Sequence, residues 1–180
     1  MSFQPENLPA MPVELIQEVK GFLRLDHGED DAAIAQMLSS AVHLCENFIG
    51  QMLIARPVSD RMPVRGEWQK LSKRPVQAIT LVEAVAPDGA ATVLPASAYA
   101  MDIDSDGSGW VKLHPVSNVT RIAVTYEAGL AADWATVPAT LRHGAVRLAG
   151  YLYTHRDGET GNPPSAITAL WRPHRRMRLA

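Results

Sequence analysis

The sequence has one cysteine, Cys45, in 180 residues, so no disulfide can form within a chain and a reducing compartment is the simpler setting. It has no run approaching the roughly 20 apolar residues that cross a bilayer, which leaves no membrane partner. Its start, "MSFQPENLPAMPVEL", lacks a basic segment followed by an apolar stretch, and a soluble chain made in the cytoplasm is expected. Nor is there an excess of positive charge. With 17 Lys+Arg against 19 Asp+Glu and a pI near 6.3, a surface that wraps nucleic acid all round is excluded, and any polyanion contact must be local. Internal repeats and low-complexity tracts are missing too.

The usual marks of catalysis are equally scarce. There is no G-x-S-x-G, no phosphate-cradling glycine loop, and no close carboxylate pair with features that would tune it. The six histidines, at 27, 43, 114, 143, 155 and 174, fall at no metal-ligand spacing. Cys45 lies on an apolar helical seam, where a thiol behaves as a small hydrophobe. "DIDSDGSGWVKL" resembles a calcium loop through Asp102, Asp104, Asp106 and Gly107. Its twelfth position is Leu113, however, and no entering helix precedes it, so a solvated Asp/Gly hairpin turn accounts for the same letters. No enzyme activity, catalytic residue, cofactor or metal is expected.

What is present is one core of ordinary size. An N-terminal arm with prolines at 5, 9 and 12 leads to a helix with an apolar stripe of Leu15, Ile16, Val19, Phe22 and Leu23. Asp30 or Asp31 is placed to cap a longer helix whose seam is Ile34, Leu38, Ala41, Cys45, Phe48 and Met52. From Pro57 to Leu130 the period changes. "AITLVEAV", "TVLPASAYAMDI", "GWVKLH" and "RIAVTYEAG" are strand-like and separated by turn signals, and Ile122, Val124 and Tyr126 share one strand face. Helical period returns with Pro138 at N1 and Leu141, Ala145, Leu148 and Leu152, and a short helix over "PPSAITALW" follows, with Asn162 a candidate cap. The expected fold is α+β, a helical bundle with an inserted antiparallel β-rich subdomain. Its parts are an arm and two core helices over 1–56, the insert over 57–130, C-terminal core helices over 131–171 and a basic tail over 172–180, all in one globular domain.

The tail, "WRPHRRMRLA", carries four of the 17 basic residues, Arg172, Arg175, Arg176 and Arg178, which leaves 13 basic against 19 acidic residues in the rest. A solvated end has little use for Trp171, Met177 and Leu179. A docking segment does, since apolar anchors supply burial and guanidinium forks select acidic or phosphate-lined grooves. The residues alone leave protein and nucleic acid open as targets. They lead to a terminus left unpaired by its own fold.

Several stretches together resemble the head-tail connector, or adaptor, proteins of tailed phages and of phage-derived gene transfer agents. They are "VKGFLRLDHGEDDAAIAQMLSSAVHLCENFIGQML", "RPVQAITLVEAV", "RIAVTYEAGLAADWATVPATLRHGAVRLAGYLYTHRD" and "PPSAITALWRPHRRMRL", and they span most of the chain in order. The shared pattern is a helix ending Leu-Arg-hydrophobic-Asp, a long alanine-rich helix, a strand ending Tyr-x-Ala-Gly, and a Val-Pro that opens a helix. The resemblance implies a structural protein of the virion or virus-like particle, at the head-tail junction, made in the bacterial cytoplasm. It implies a ring of about a dozen subunits under the portal protein, with monomeric free subunits and DNA passing through the channel without sequence-specific binding. A stopper or tail-terminator protein would meet the far face. Trp171, Arg172, Arg175, Arg176, Met177, Arg178 and Leu179 would then bind the portal. The alternative is a nucleic-acid-binding accessory protein that uses the same arginines.

Overall fold

In this computed structural model, residues 11–114, 119–155 and 163–176 are described. Four α-helices and seven antiparallel strands are arranged as α1 (Val13–Leu23), α2 (Asp31–Ile49), β1 (Arg56–Pro63), β2 (Gln69–Lys70), β3 (Val76–Val85), β4 (Ala91–Val93), β5 (Tyr99–Ile103), β6 (Gly109–Leu113), β7 (Arg121–Ala128), α3 (Ala139–Thr154) and α4 (Ser165–Trp171). The fold is α+β. The chain divides into two compact units, a β unit drawn from 54–130 and a helical unit drawn from 11–53 and 131–176.

The helical unit is built on the apolar periods of the sequence. Leu15 and Val19 of α1, Ile34, Leu38, Ala41, Cys45 and Ile49 of α2, and Leu141, Ala145 and Leu148 of α3 are buried together. Three local expectations shift. Helix α2 stops at Ile49 because Gly50 takes a left-handed conformation (φ 70°), so Met52 is buried from beyond the helix end. Pro138 stands one residue earlier than N1, at the N-cap, as Pro12 does in α1, and there a missing N–H is again no loss. Asp30 holds the N-cap of α2 without a capping bond; its carboxylate accepts the Tyr153 hydroxyl at 2.6 Å. Asp31 meets Lys20 of α1 at 2.8 Å, an ion pair with the lysine side chain buried. Asn162 lies outside the described residues. No helix among the described residues is long and apolar enough to cross a membrane.

In the β unit, one sheet has the order β1-β7-β3-β4 and the other β2-β6-β5. Strand β7 is interior to its sheet, and its alternation buries Ile122, Val124, Tyr126 and Ala128 on one face while Glu127 is exposed. Tyr126 is buried as a ring but polar at its tip. The hydroxyl donates to Asp60 Oδ2 on β1 at 3.0 Å and accepts the Lys73 N–H at 3.0 Å, while Asp60 also takes the Ser72 N–H and hydroxyl, each at 2.7 Å. Burial pushes the Tyr126 phenol well above its ordinary pKa and keeps it neutral as a donor. This network fastens the segment between β2 and β3 to the four-stranded sheet. Tyr126→Phe keeps the packing and removes both bonds, so a loss of about 1–3 kcal/mol in a urea midpoint series is expected. Asp60→Asn, which can still accept the hydroxyl, should lose less.

Candidate docking surface at the C-terminal end

Helix α4 brings the Arg-rich end against the helical unit, and it does so through Trp171. The indole is 0% exposed. Its ring meets Phe48 of α2 at 5.8 Å between centroids and a 54° tilt, a favourable aromatic geometry. It also occupies the space left by Gly144 of α3, where a Cβ would stand 2.2 Å from the indole Nε1. Trp171 is therefore a core residue of its own chain and is not accessible to a partner. The apolar character that marks it as an anchor in the sequence is spent on the contact among α2, α3 and α4.

The next residues are tied down by backbone. Arg172–His174 form a 3-10 turn, and the chain then crosses the C-terminal end of α2. There the His174 carbonyl accepts Gln51 Nε2 at 2.8 Å, and the Ile49 carbonyl, one of the acceptors that a helix end leaves without an intrahelical donor, takes the Arg176 N–H at 3.0 Å. Thr140 Oγ1 lies 2.8 Å from His174 Nε2, and the Arg175 guanidinium lies over the Phe48 ring at 5.4 Å. Helix α2 has no basic residue in its own last turn and carries Glu46 there, so Arg175 and Arg176 place positive charge at its negative pole. The expectation of a terminus unpaired by its fold is thus corrected as far as Arg176. The side chains of Arg172, Arg175 and Arg176 are exposed, and among the described residues none forms an ion pair. Met177, Arg178 and Leu179 lie outside the described residues.

Of the residues that secure this end, Phe48 lies on the apolar seam expected of α2, whereas nothing local to Gln51, Thr140 or Gly144 signals the contact. Only the Ile167 to Trp171 spacing of four hints that the tryptophan faces inward.

The other chemistry-bearing groups serve structure. Asp104 accepts the Trp110 indole N–H at 2.7 Å, and Asp106 accepts the Ser108 N–H at 2.9 Å, a bond that holds its carboxyl below the usual range. Burial, reinforced by the neighbouring Glu46 charge, pushes the Cys45 thiol far up and away from thiolate chemistry. Among the described residues no three His, Cys, Asp or Glu side chains gather as metal ligands. A shallow groove of about 470 Å³ between α1 and α3 is lined by Glu18, Phe22, Ala139, Arg142, His143 and Val146. It contains no nucleophile paired with a base.

No curated protein matches the sequence. Among solved structures, the chain is similar to one from the neck of an empty GTA particle, computed with C6 symmetry, at 26% identity and a TM-score of 0.76 over 95% of this chain and 92% of that one. It shares its fold with a chain from the virion of a native gene transfer agent (GTA) particle, at 24% identity and 0.76 over 95% and 92%. It shares it also with one from the neck of a native GTA particle, computed with C12 symmetry, at 23% and 0.70 over 96% and 95%. The family model described as "Head completion protein" matches residues 15–162, which takes in the β unit and the helical unit up to the end of α3 but not α4 or the Arg-rich end, and the chain belongs to the head completion protein family.

Proposed function

We propose that this protein is a structural adaptor of the head-tail junction, a ring of like subunits beneath the portal that joins the filled head to the tail and carries out no reaction. The observation that carries the reading is the joint match, to the head completion family over 15–162 and to a chain of a GTA particle neck over 95% of the length. The C-terminal end is the part proposed to bind the portal, with a stopper or tail-terminator protein at the opposite face.

The local structure refines how such an end would work. The backbone up to Arg176 already has a fixed base on α2, so docking of Arg172, Arg175 and Arg176 has only their side chains left to order, which lowers its entropic cost. Met177, Arg178 and Leu179 are proposed to complete the contact. A ring then gathers many modest contacts at high effective concentration.

Two truncations test this, one removing 177–180 and one removing 172–180. Both leave Trp171 in place. The expected result is folded protein that still melts cooperatively, the longer truncation a few degrees below the full chain, with loss of a co-purifying portal complex and heads without tails in electron micrographs. Normally tailed particles from the longer truncation would overturn portal docking by this end. Duplex DNA affinity at physiological salt, with a salt slope that Arg175→Ala plus Arg176→Ala flattens, would favour the accessory nucleic-acid-binding reading instead.

A further inference from the structure

The two sheets treat their edges differently. Edge strand β1 turns Arg56, Val58, Asp60 and Met62 toward β7, a pattern continued by the Val64 N–H on the Thr120 carbonyl at 3.0 Å, and so turns 57, 59, 61 and 63 outward. Of these, Pro57 and Pro63 have no N–H to offer a further strand. Edge strand β5 has no such block. The Asp104 N–H on the Ser108 carbonyl and the His114 N–H on the Ala98 carbonyl, each at 2.9 Å, turn Ala100 and Asp102 toward β6. The N–H and C=O of Tyr99, Met101 and Ile103 are thereby directed away from β6, and among the described residues they have no hydrogen-bond partner. The side chains alternate as well. Met101 and Ile103, 54% and 39% exposed, share the face of buried Val111 and Leu113, and exposed Asp102 lies on the opposite face.

A strand that adds to this edge needs free N–H groups, apolar residues at alternate positions and a basic residue between them. The letters after Arg176, Met177-Arg178-Leu179, have that order. We propose that the β5 edge receives residues 177–179 of a second copy as a short antiparallel strand. With Met177 opposite Ile103 and Leu179 opposite Met101, each pair exchanges two main-chain bonds and joins apolar side chains on one face. Arg178 then falls opposite Asp102 on the other face, an opposite-charge pair. In this register the Arg176 N–H points away from β5, so its bond to the Ile49 carbonyl is kept. The contact is head to tail, the kind that builds chains or rings of like subunits. It rests on the portal reading in one respect: the same three residues are proposed to meet the portal, so the two contacts exclude each other. The β5 edge covers the apolar end until the portal takes it.

Amide exchange of the full-length chain at low and high protein concentration tests the proposal. The Met101 and Ile103 amides are expected to exchange at least about threefold more slowly at high concentration, while those of Ala100 and Asp102, already bonded to β6, serve as the reference. Met177→Arg combined with Arg178→Met keeps the composition and destroys the alternation, and this variant is expected to lose the effect. The free peptide HRRMRLA, added to that variant, is expected to restore the slowing, whereas HRRRMLA is not. Asp102→Lys is expected to weaken the peptide's binding about fivefold by placing like charges opposite each other. Equal exchange in the wild type and the exchanged variant, slowing independent of concentration, or equal action of the two peptides would overturn the contact. Portal docking, which is read by co-purification, would survive that result. Conversely, slowing as expected in a chain that never co-purifies with portal would keep the contact between copies and remove the portal reading.

Discussion

Trp171→Ala is expected to destabilise the helical unit by about 3–5 kcal/mol, the cost of removing a large aromatic ring from a packed interior that relaxes only in part. The site has little means to collapse. Phe48 packs against the indole at 5.8 Å between centroids, and Gly144, which also abuts it, has no side chain to move into the void. Truncation of 172–180 is expected to cost only about 1–2 kcal/mol. The groups it frees, Gln51 Nε2 and the Ile49 carbonyl, can take water in place of His174 and Arg176. The comparison is made by urea titration followed by far-ultraviolet circular dichroism and by Phe48-region hydrogen exchange. A Trp171→Ala midpoint equal to that of the truncation would remove the tryptophan from the core. The practical consequence is that a deletion beginning at 171 reports on folding and docking together, whereas one beginning at 172 reports on docking.

The same residue shows what could be read from sequence and what could not. Where burial follows local period, the elements were legible. The α2 seam from Ile34 to Cys45 is buried as spaced, and Ile122, Val124 and Tyr126 line one face of β7, so the α+β fold class follows from the letters. Trp171 failed because its environment is not local. The residues that enclose it, Phe48 and Gly144, are separated from it by most of the chain and by a helix, and four neighbouring arginines dominated the reading of its short segment. Gln51 and His174, 123 residues apart, meet through a backbone carbonyl that no side-chain pattern encodes. Likewise, the caps expected of Asp30 gave way to a tertiary bond from Tyr153, because a hydroxyl delivered by α3 competes for the same carboxylate oxygens. Charge was legible as composition, while its placement at the C-terminal pole of α2 was not.

Gly129→Ala is expected to cost at least about 3 kcal/mol, the range in which a single change is felt as failed folding. Gly129 ends the Tyr-x-Ala-Gly stretch at the exit of β7, with φ 157°, its N–H bonded to the Pro75 carbonyl at 2.9 Å and its carbonyl accepting Gln77 Nε2 at 2.7 Å. A Cβ there would lie 2.2 Å from the Ala55 nitrogen and 2.4 Å from both the Ala55 Cα and the Ile54 carbonyl carbon. All three are backbone atoms, so no rotamer change relieves the overlap; β1 must move away from β7 at the end where Arg56 pairs with Ala128. Gly89→Ala is the control. Gly89 also has positive φ, 90°, but nothing lies within 4 Å of its Cβ position, so only the conformational penalty of about 1 kcal/mol applies. Amide exchange should show the loss of protection in β1 and β7 for Gly129→Ala and none of comparable size for Gly89→Ala. Equal effects at the two positions would mean that the close approach at Ala55 is not what requires glycine. If they differ as expected, Tyr126 and Gly129 stand three residues apart for two folding reasons, one a hydroxyl that ties a loop to the sheet, the other a gap through which β1 passes. The Tyr-x-Ala-Gly stretch is then explained by the construction of the β unit, which leaves the specificity of docking to be sought in the exposed residues around it.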